Sequence, residues 1–172
     1  MKRKIPFVTQ IGSSHEDYGC GVAATLMLLR GANLSVESFA ATAKGLRVDV
    51  LPLKKWGKAG EGMGKGAYAI DVTNYLFNRS VPHVVLSDAS KKASSKRTLQ
   101  ELLKRVPVMV GVDNPNNPND WGDGGHWIVV EPSAGTKYSF LDSARTEEQD
   151  YRRSISWAKM ARDWDGYAVA VF

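Results

Sequence analysis

The chain has 172 residues, 43% of them hydrophobic and 24% charged, which is the balance of a globular protein with a core of its own. Its 23 Lys and Arg against 18 Asp and Glu give a net charge of +5, but no nucleic-acid-binding motif accompanies this charge, so we expect no nucleic-acid partner. One cysteine excludes an intrachain disulfide and a Cys-rich zinc site. No signal peptide is recognisable, and no apolar run approaches the ~18 residues that span a membrane.

The first third of the chain predicts one short strand and two helices. "IPFVT" at 5–9 is typical of a strand, and the turn-rich residues 11–19 follow it. Apolar residues spaced three and four apart predict a buried helix over 20–30. A second helix is predicted over 35–45, with Ser35 as its N-cap and Gly45 at its end.

The glycine-rich segment 57–66 allows two interpretations. Residues 62–67 match the G-x-G-x-x-A pattern of a dinucleotide-binding loop, and a helical pattern follows them. The preceding residues make a poor strand, however, and P-loop spacing is absent. We therefore favour a mobile loop and expect no cofactor.

The rest of the chain predicts mostly strands. We expect the basic residues 91–97 to form a solvated loop, and Thr98 to cap the helix that follows them. The Asn-, Pro- and Gly-rich residues 113–125 predict a loop. Helices are expected at 68–79, 98–105 and 156–164, and strands at 83–87, 106–113, 126–132, 138–144 and 166–172. Helices first and consecutive strands afterwards predict an α+β fold, with N-terminal helices packed on an antiparallel sheet and residues 1–172 as a single domain.

Cys20 stands where a reactive thiolate would be stabilised. It lies at the predicted start of the first helix, where free backbone N–H groups and the helix dipole favour negative charge. The alternative is a small, buried, inert cysteine.

His126 and Asp142 make the reactive interpretation stronger. A hairpin turn centred near Ala134 would place these two residues directly opposite each other on one face of the sheet. An aspartate there can accept the imidazole N–H and orient the ring, as in a triad of nucleophile, base and orienting residue. Asp142 could also simply end its strand.

An acyl-transfer site also needs donors for the oxyanion. The backbone N–H of Cys20 is one candidate, and the side-chain amide of Gln10 is a second. Because residues 11–19 separate Gln10 from Cys20, Ser14 or His15 are alternative donors, unless this loop bulges out.

The segments "VTQ", "YGCGVAATLMLLRG", "VPVMVGVD", "GGHWIVVEP" and "KYSFLDSA", in that order, resemble the papain-like cysteine peptidases of the bacteriocin-processing type, family C39 and its C39-like relatives. Two features depart from the family's pattern: Val22 stands where the family usually has Pro, and Gln10 lies farther from the cysteine. The resemblance implies a papain-like fold without metal or cofactor.

It also implies roles for four residues: Cys20 as nucleophile, His126 as general base and acid, Asp142 as orienting residue and Gln10 as oxyanion donor. Such enzymes often cleave after Gly-Gly in a narrow cleft, whose walls here would include Trp121, Trp127 and Gly125. The alternative for the tryptophans is ordinary packing.

We expect a cysteine endopeptidase that acts on a protein or peptide. As a hypothesis it is the toxin domain of an interbacterial effector, either cytoplasmic or delivered into a target cell by a secretion system, with a cognate immunity protein as partner. The alternatives are an amidase, deamidase or acyltransferase on the same scaffold, or a binding domain without catalysis.

Overall fold

The computed structural model describes residues 4–16, 18–48, 67–113, 121, 125–146 and 150–172. The mobile loop predicted at 57–66 and most of the loop predicted at 113–125 lie outside these residues. None of the helices in the described part of the chain has the length and hydrophobicity that crossing a bilayer requires.

Five helices and six strands make up the regular structure of the described residues. The helices are α1 (Cys20–Gly31), α2 (Phe39–Gly45), α3 (Ala69–Asn78), α4 (Ala93–Leu103) and α5 (Trp157–Asp163). The strands are β1 (His83–Ser87), β2 (Val108–Val112), β3 (His126–Val130), β4 (Lys137–Asp142), β5 (Arg152–Ser156) and β6 (Trp164–Val171).

The strands form one sheet in the order β1-β6-β2-β3-β4-β5, and all neighbours are antiparallel. Because successive side chains of a strand point to opposite faces, the sheet separates two apolar cores. Trp127 and Val129 of β3 face the core that contains α1, α2 and α3. Ile128 and Val130 face the core that contains α4 and α5. This architecture confirms the predicted α+β class.

Helix α1 is the central element of the first core. Residues 21–29 are all buried, as expected of a helix that is apolar on nearly every side. The helix ends at Gly31, and Asn33 follows in the left-handed region at φ 59°. Since α1 packs mainly against β3, its first residue, Cys20, is held beside the start of that strand.

Two predicted helix starts are wrong. Helix α2 begins at Phe39, because Ser38 and not Ser35 caps it by accepting a hydrogen bond from the backbone N–H of Ala41. Helix α4 begins at Ala93, so most of the basic segment 91–97 is helical and not a loop.

The early start of α4 has a local cause. The carboxylate of Asp88 accepts hydrogen bonds from the backbone N–H of Lys92 and the hydroxyl of Ser95, which fixes the chain at the helix start. Thr98, the predicted cap, lies inside the helix and donates to the carbonyl of Ser94.

The strands also differ from prediction at two places. The predicted strand at 5–9 is an irregular segment, which ends where the backbone N–H of Gln10 donates to the carbonyl of Ser143 at 2.9 Å. Strand β5, the edge strand beside β4, is absent from the prediction because its polar sequence buries a single residue and lacks apolar alternation.

The predicted hairpin register is wrong by two residues. Asp142 pairs with Ile128 rather than with His126, and the backbone N–H of Glu131 donates to Ser139, so the turn is centred nearer Gly135 than Ala134. A shift of two residues keeps every side chain on its face of the sheet. His126 and Asp142 are therefore diagonal neighbours on the same face, still within reach of each other.

Candidate active site

Cys20 is the first residue of α1, and its sulfur is surrounded by hydrogen-bond donors. The N-cap residue, Gly19, has no side chain to bind the free N–H groups of the first turn. The backbone N–H groups of Gly21 and Trp127 are directed at the sulfur instead, and the imidazole of His126 forms a hydrogen bond with it. A β-carbon at Gly19 would lie 2.7 Å from the carbonyl oxygen of His15, so this close approach requires glycine.

His126 connects the cysteine to Asp142. Its Nε2–H donates to Oδ1 of Asp142 at 2.9 Å, which leaves Nδ1 for the sulfur. Both side chains are buried, at 8% and 7% exposure. The structure therefore brings Cys20, His126 and Asp142 together in that order of contacts, through a register that differs from the predicted one.

The charges of these three groups support one another. Burial raises the pKa of Cys20, but the hydrogen bond and charge of His126 outweigh it, and the thiol pKa is lowered overall. Burial likewise opposes charge on His126, whereas its bonds to Asp142 and Cys20 raise its pKa to about 9. For Asp142, burial is outweighed by the imidazole, so the carboxyl pKa is lowered. The direction of each shift favours the charged form: a thiolate, an imidazolium and a carboxylate.

Gln10 lies beside the cysteine in space despite the long intervening loop. Its β-carbon would be 3.3 Å from a β-carbon at Gly19, the residue before Cys20. Its Oε1 accepts a hydrogen bond from Ser143 at 3.0 Å, and its Nε2 donates to the carbonyl of Glu16 at 2.6 Å. The loop therefore bulges out and returns, while the second N–H of Nε2 remains for another acceptor.

The alternative donors of the same loop contact each other. The hydroxyl of Ser14 and Nδ1 of His15 are 2.8 Å apart, and the buried imidazole lies against the rings of Tyr18 and Phe39.

Trp127 and Gly125 flank His126 on the chain and shape its surroundings. The indole N–H of Trp127 donates to the carbonyl of Ala67 at 2.8 Å, and a β-carbon at Gly21 would lie 3.3 Å from the indole ring. Trp127 thus closes the space between β3 and the first turn of α1. Gly125 has a φ of 87°, a conformation that favours glycine, at the point where the chain enters β3.

Trp121 lies in the second core, on the other face of the sheet from α1. Its indole N–H donates to Asp163 at 3.0 Å, and its ring contacts Phe140 edge-on. Its place in the fold is that of a core residue, and a substrate contact for it stays a prediction.

Two arginines at the site were not identified from the sequence. Arg153 of β5 and Arg145 after β4 approach Oδ2 of Asp142 at 3.4 and 3.7 Å. In the sequence, only their position near Asp142 points to these arginines. That position becomes informative once β5 is known to pair with β4. Among the described residues, no group of three or more His, Cys, Asp or Glu side chains is arranged to hold a metal ion.

The helices and the antiparallel sheet form a papain-like fold of the C39 type, which solved peptidase domains share. No protein-family model and no curated protein matches the sequence. Solved structures do share this fold, as a search of them shows.

The peptidase domain of Streptococcus ComA, a bifunctional ABC transporter involved in quorum sensing, is similar over 98% of both chains, with a TM-score of 0.64 and 16% identity. A double-glycine motif protease from an AMS/PCAT transporter, solved in complex with the leader peptide, has a TM-score of 0.59 and 16% identity over 99% of this chain and 92% of its own. A Bacillus anthracis protein provisionally assigned to the C39-like peptidases has a TM-score of 0.67 and 16% identity over 98% and 94%. At this identity the feature that is shared is the fold.

Proposed function

We propose that this protein is a cysteine peptidase whose catalytic triad is Cys20, His126 and Asp142. The observation that carries the proposal is the continuous set of hydrogen bonds from the thiol through the imidazole to a buried carboxylate. The C39-like fold of the chain supports it, because the solved structures with this fold include peptidase domains.

In the first step the Cys20 thiolate attacks the carbonyl carbon of the scissile bond and forms a tetrahedral oxyanion. The lowered pKa of the thiol favours the thiolate, which is the nucleophilic form. We assign the oxyanion donors to the backbone N–H of Cys20 and the second N–H of Gln10. Ser143 holds the amide of Gln10 from the other side, so this donor is oriented before substrate binds.

In the second step the oxyanion collapses to a thioester, and the imidazolium of His126 transfers its proton to the departing amine. Neutral His126 then takes a proton from water, which attacks the thioester carbonyl. The carboxylic acid product leaves, and the thiolate and imidazolium are restored. Asp142 stays ionised throughout and stabilises the imidazolium.

We further propose that the substrate is a peptide with small residues at the scissile bond, Gly-Gly among them. A β-carbon at Gly21 would lie 2.6 Å from that of Ala67, so α1 and the segment around Ala67 are in direct contact beside the nucleophile. Trp127 bridges the same two elements. This close packing beside the nucleophile supports selection against side chains, and one of the similar structures is a double-glycine motif protease in complex with the leader peptide.

The effector hypothesis is tested separately. A toxin domain should arrest growth when it is expressed inside a susceptible bacterium, and Cys20→Ala should abolish the arrest. An immunity protein would restore growth and co-purify with the Cys20→Ala variant. Growth arrest that persists in Cys20→Ala would contradict a catalytic toxin.

The reaction type is tested with peptides and mass spectrometry. We expect a peptide containing Gly-Gly to be cleaved by the wild type, and the matched peptide with Ala-Ala to be cleaved more slowly. Cys20→Ala should cleave neither. An intact peptide that gains about one mass unit would instead indicate a deamidase, and a larger adduct would indicate an acyltransferase, since all three reactions pass through an acyl-enzyme.

A further inference from the structure

The two oxygens of the Asp142 carboxylate have different environments. Oδ1 accepts hydrogen bonds from Nε2 of His126 at 2.9 Å and from the backbone N–H of Ala144 at 3.1 Å. Oδ2 faces the guanidinium groups of Arg153 at 3.4 Å and Arg145 at 3.7 Å. The negative charge of one buried carboxylate is thus shared between the imidazole on its inner side and two cations on its outer side.

Arg153 is held in this position by the fold. Arg153 of β5 pairs with Phe140 of β4, and its guanidinium lies over the ring of Phe140 at 5.6 Å from the centroid. A guanidinium stacked on an aromatic face loses little entropy when it binds a carboxylate. Arg145, by contrast, lies in the turn after β4 and is farther from Oδ2.

We propose that Arg153 is a positioning residue of the triad, which fixes the outer oxygen of Asp142 and sets the pH range in which the His126–Cys20 pair is charged. Only the expected effect of Arg153 on turnover rests on the proposed peptidase function. Within the described residues, the charged or titratable groups that face His126 are Cys20 from α1 and Asp142 on β4, and those that face Asp142 from its other side are Arg145 after β4 and Arg153 on β5.

The physical consequence is a balance of charges at His126. Asp142 raises the pKa of the imidazole, which stabilises the imidazolium but makes it a weaker acid toward the leaving amine. The positive charge of Arg153, which lowers the pKa of Asp142, offsets part of the negative charge that the carboxylate presents to the imidazole. Removal of that charge should therefore raise the pKa of His126 further and slow proton transfer to the leaving group.

The test measures the titration of His126 directly, by NMR of the protein labelled with ¹³C-histidine. The chain has three histidines, so variants His15→Asn and His83→Asn assign the signals. We expect Arg153→Met to raise the titration midpoint of His126 by about half a pH unit, the size expected for one half-exposed charge near the ring. Arg153→Lys, which retains the charge, should restore most of the wild-type value.

Arg152→Met is the matched control. Arg152 is the neighbour of Arg153 on β5, but it binds Glu131 and the carbonyl of Ile5 and does not contact the triad. We expect the midpoint of His126 to stay at the wild-type value in this variant. An unchanged or lowered midpoint in Arg153→Met would contradict the proposal, and so would an equal shift in Arg152→Met.

Turnover separates a positioning role from a substrate contact. With a cleaved peptide, we expect Arg153→Met to lower kcat about 2- to 10-fold with little change in KM. A raised KM for acidic peptides with an unchanged titration would assign Arg153 to substrate binding and overturn the proposal. Because the NMR titration needs no substrate, it tests Arg153 even if the peptidase function proves wrong.

Discussion

Substitution of Asp142 by Asn tests the origin of the charge on His126. Asn keeps the size of the side chain and an oxygen that can accept the Nε2–H bond of 2.9 Å, but it removes the negative charge. It also leaves Arg153 and Arg145 without their carboxylate, and their positive charge then acts on the imidazolium alone. Both effects lower the pKa of His126.

The size of the effect follows from the structure. The pKa of His126 is raised to about 9, whereas an ordinary imidazole titrates near 6.5. A hydrogen bond to a buried charged group contributes about 1.5–3 kcal/mol, which corresponds to about one to two pH units. We therefore expect the titration of His126 in Asp142→Asn to centre between about pH 7 and pH 8.

The assay is the histidine NMR titration, followed by the pH profile of peptide cleavage. The alkaline limb of kcat/KM should move down with the His126 midpoint, and kcat/KM at pH 7.5 should fall about 10- to 100-fold. Glu101→Gln, the same change of charge on the exposed face of α4, is the control and should leave both unchanged. A His126 midpoint that stays near 9 in Asp142→Asn would refute the reasoning.

Three further predictions concern packing, pH and the oxyanion donor. Gly21→Ala should lower the free energy of unfolding by about 1–3 kcal/mol in urea titration, because the new β-carbon would lie 2.6 Å from that of Ala67. Burial raises the pKa of Asp165 to about 6, so its ionisation destabilises the fold above about pH 6 and not below about pH 4; Asp165→Asn should therefore stabilise the protein by up to about 2 kcal/mol at pH 7.5 but not at pH 4. Gln10→Ala should lower kcat about 10²-fold with little change in KM, as expected for loss of an oxyanion donor.

Each of these has an outcome that would contradict it. Unchanged stability of Gly21→Ala would mean that α1 and Ala67 can separate at no cost. Equal stabilisation by Asp165→Asn at both pH values would show that ionisation of the Asp165 carboxyl does not cause the loss of stability at pH 7.5. A Gln10→Ala variant with wild-type kcat would remove Gln10 from the oxyanion site.

The sequence was sufficient to predict the elements that bury apolar residues. Helix α1 follows from a long apolar pattern, and strands β2, β3 and β6 follow from short apolar runs rich in Val and Ala, Ile or Trp. The proximity of His126 and Asp142 could be predicted for a related reason. Side chains alternate between the two faces of a strand, so His126 and Asp142 share a face even though the predicted register is wrong by two residues.

The features that the sequence does not predict depend on strand pairing and on side-chain hydrogen bonds, which a hydrophobic pattern does not show. Strand β5 has a polar sequence with little apolar pattern, and it forms by pairing with β4. Without β5, nothing in the sequence places Arg153 at Asp142. The start of α4 depends on Asp88, several residues upstream, and the position of Gln10 depends on a bulged loop whose return is held by Glu16 and Ser143.

The most direct test of the peptidase proposal is a map of new protein N-termini after incubation of a bacterial lysate with the wild type or with Cys20→Ala. Cys20 is the only cysteine in the chain, so the variant removes the only thiol. We expect the wild type to generate new N-termini that follow small residues, and Cys20→Ala to generate none. The same set of new N-termini from both proteins would show that Cys20 is not the nucleophile and would contradict the proposed function.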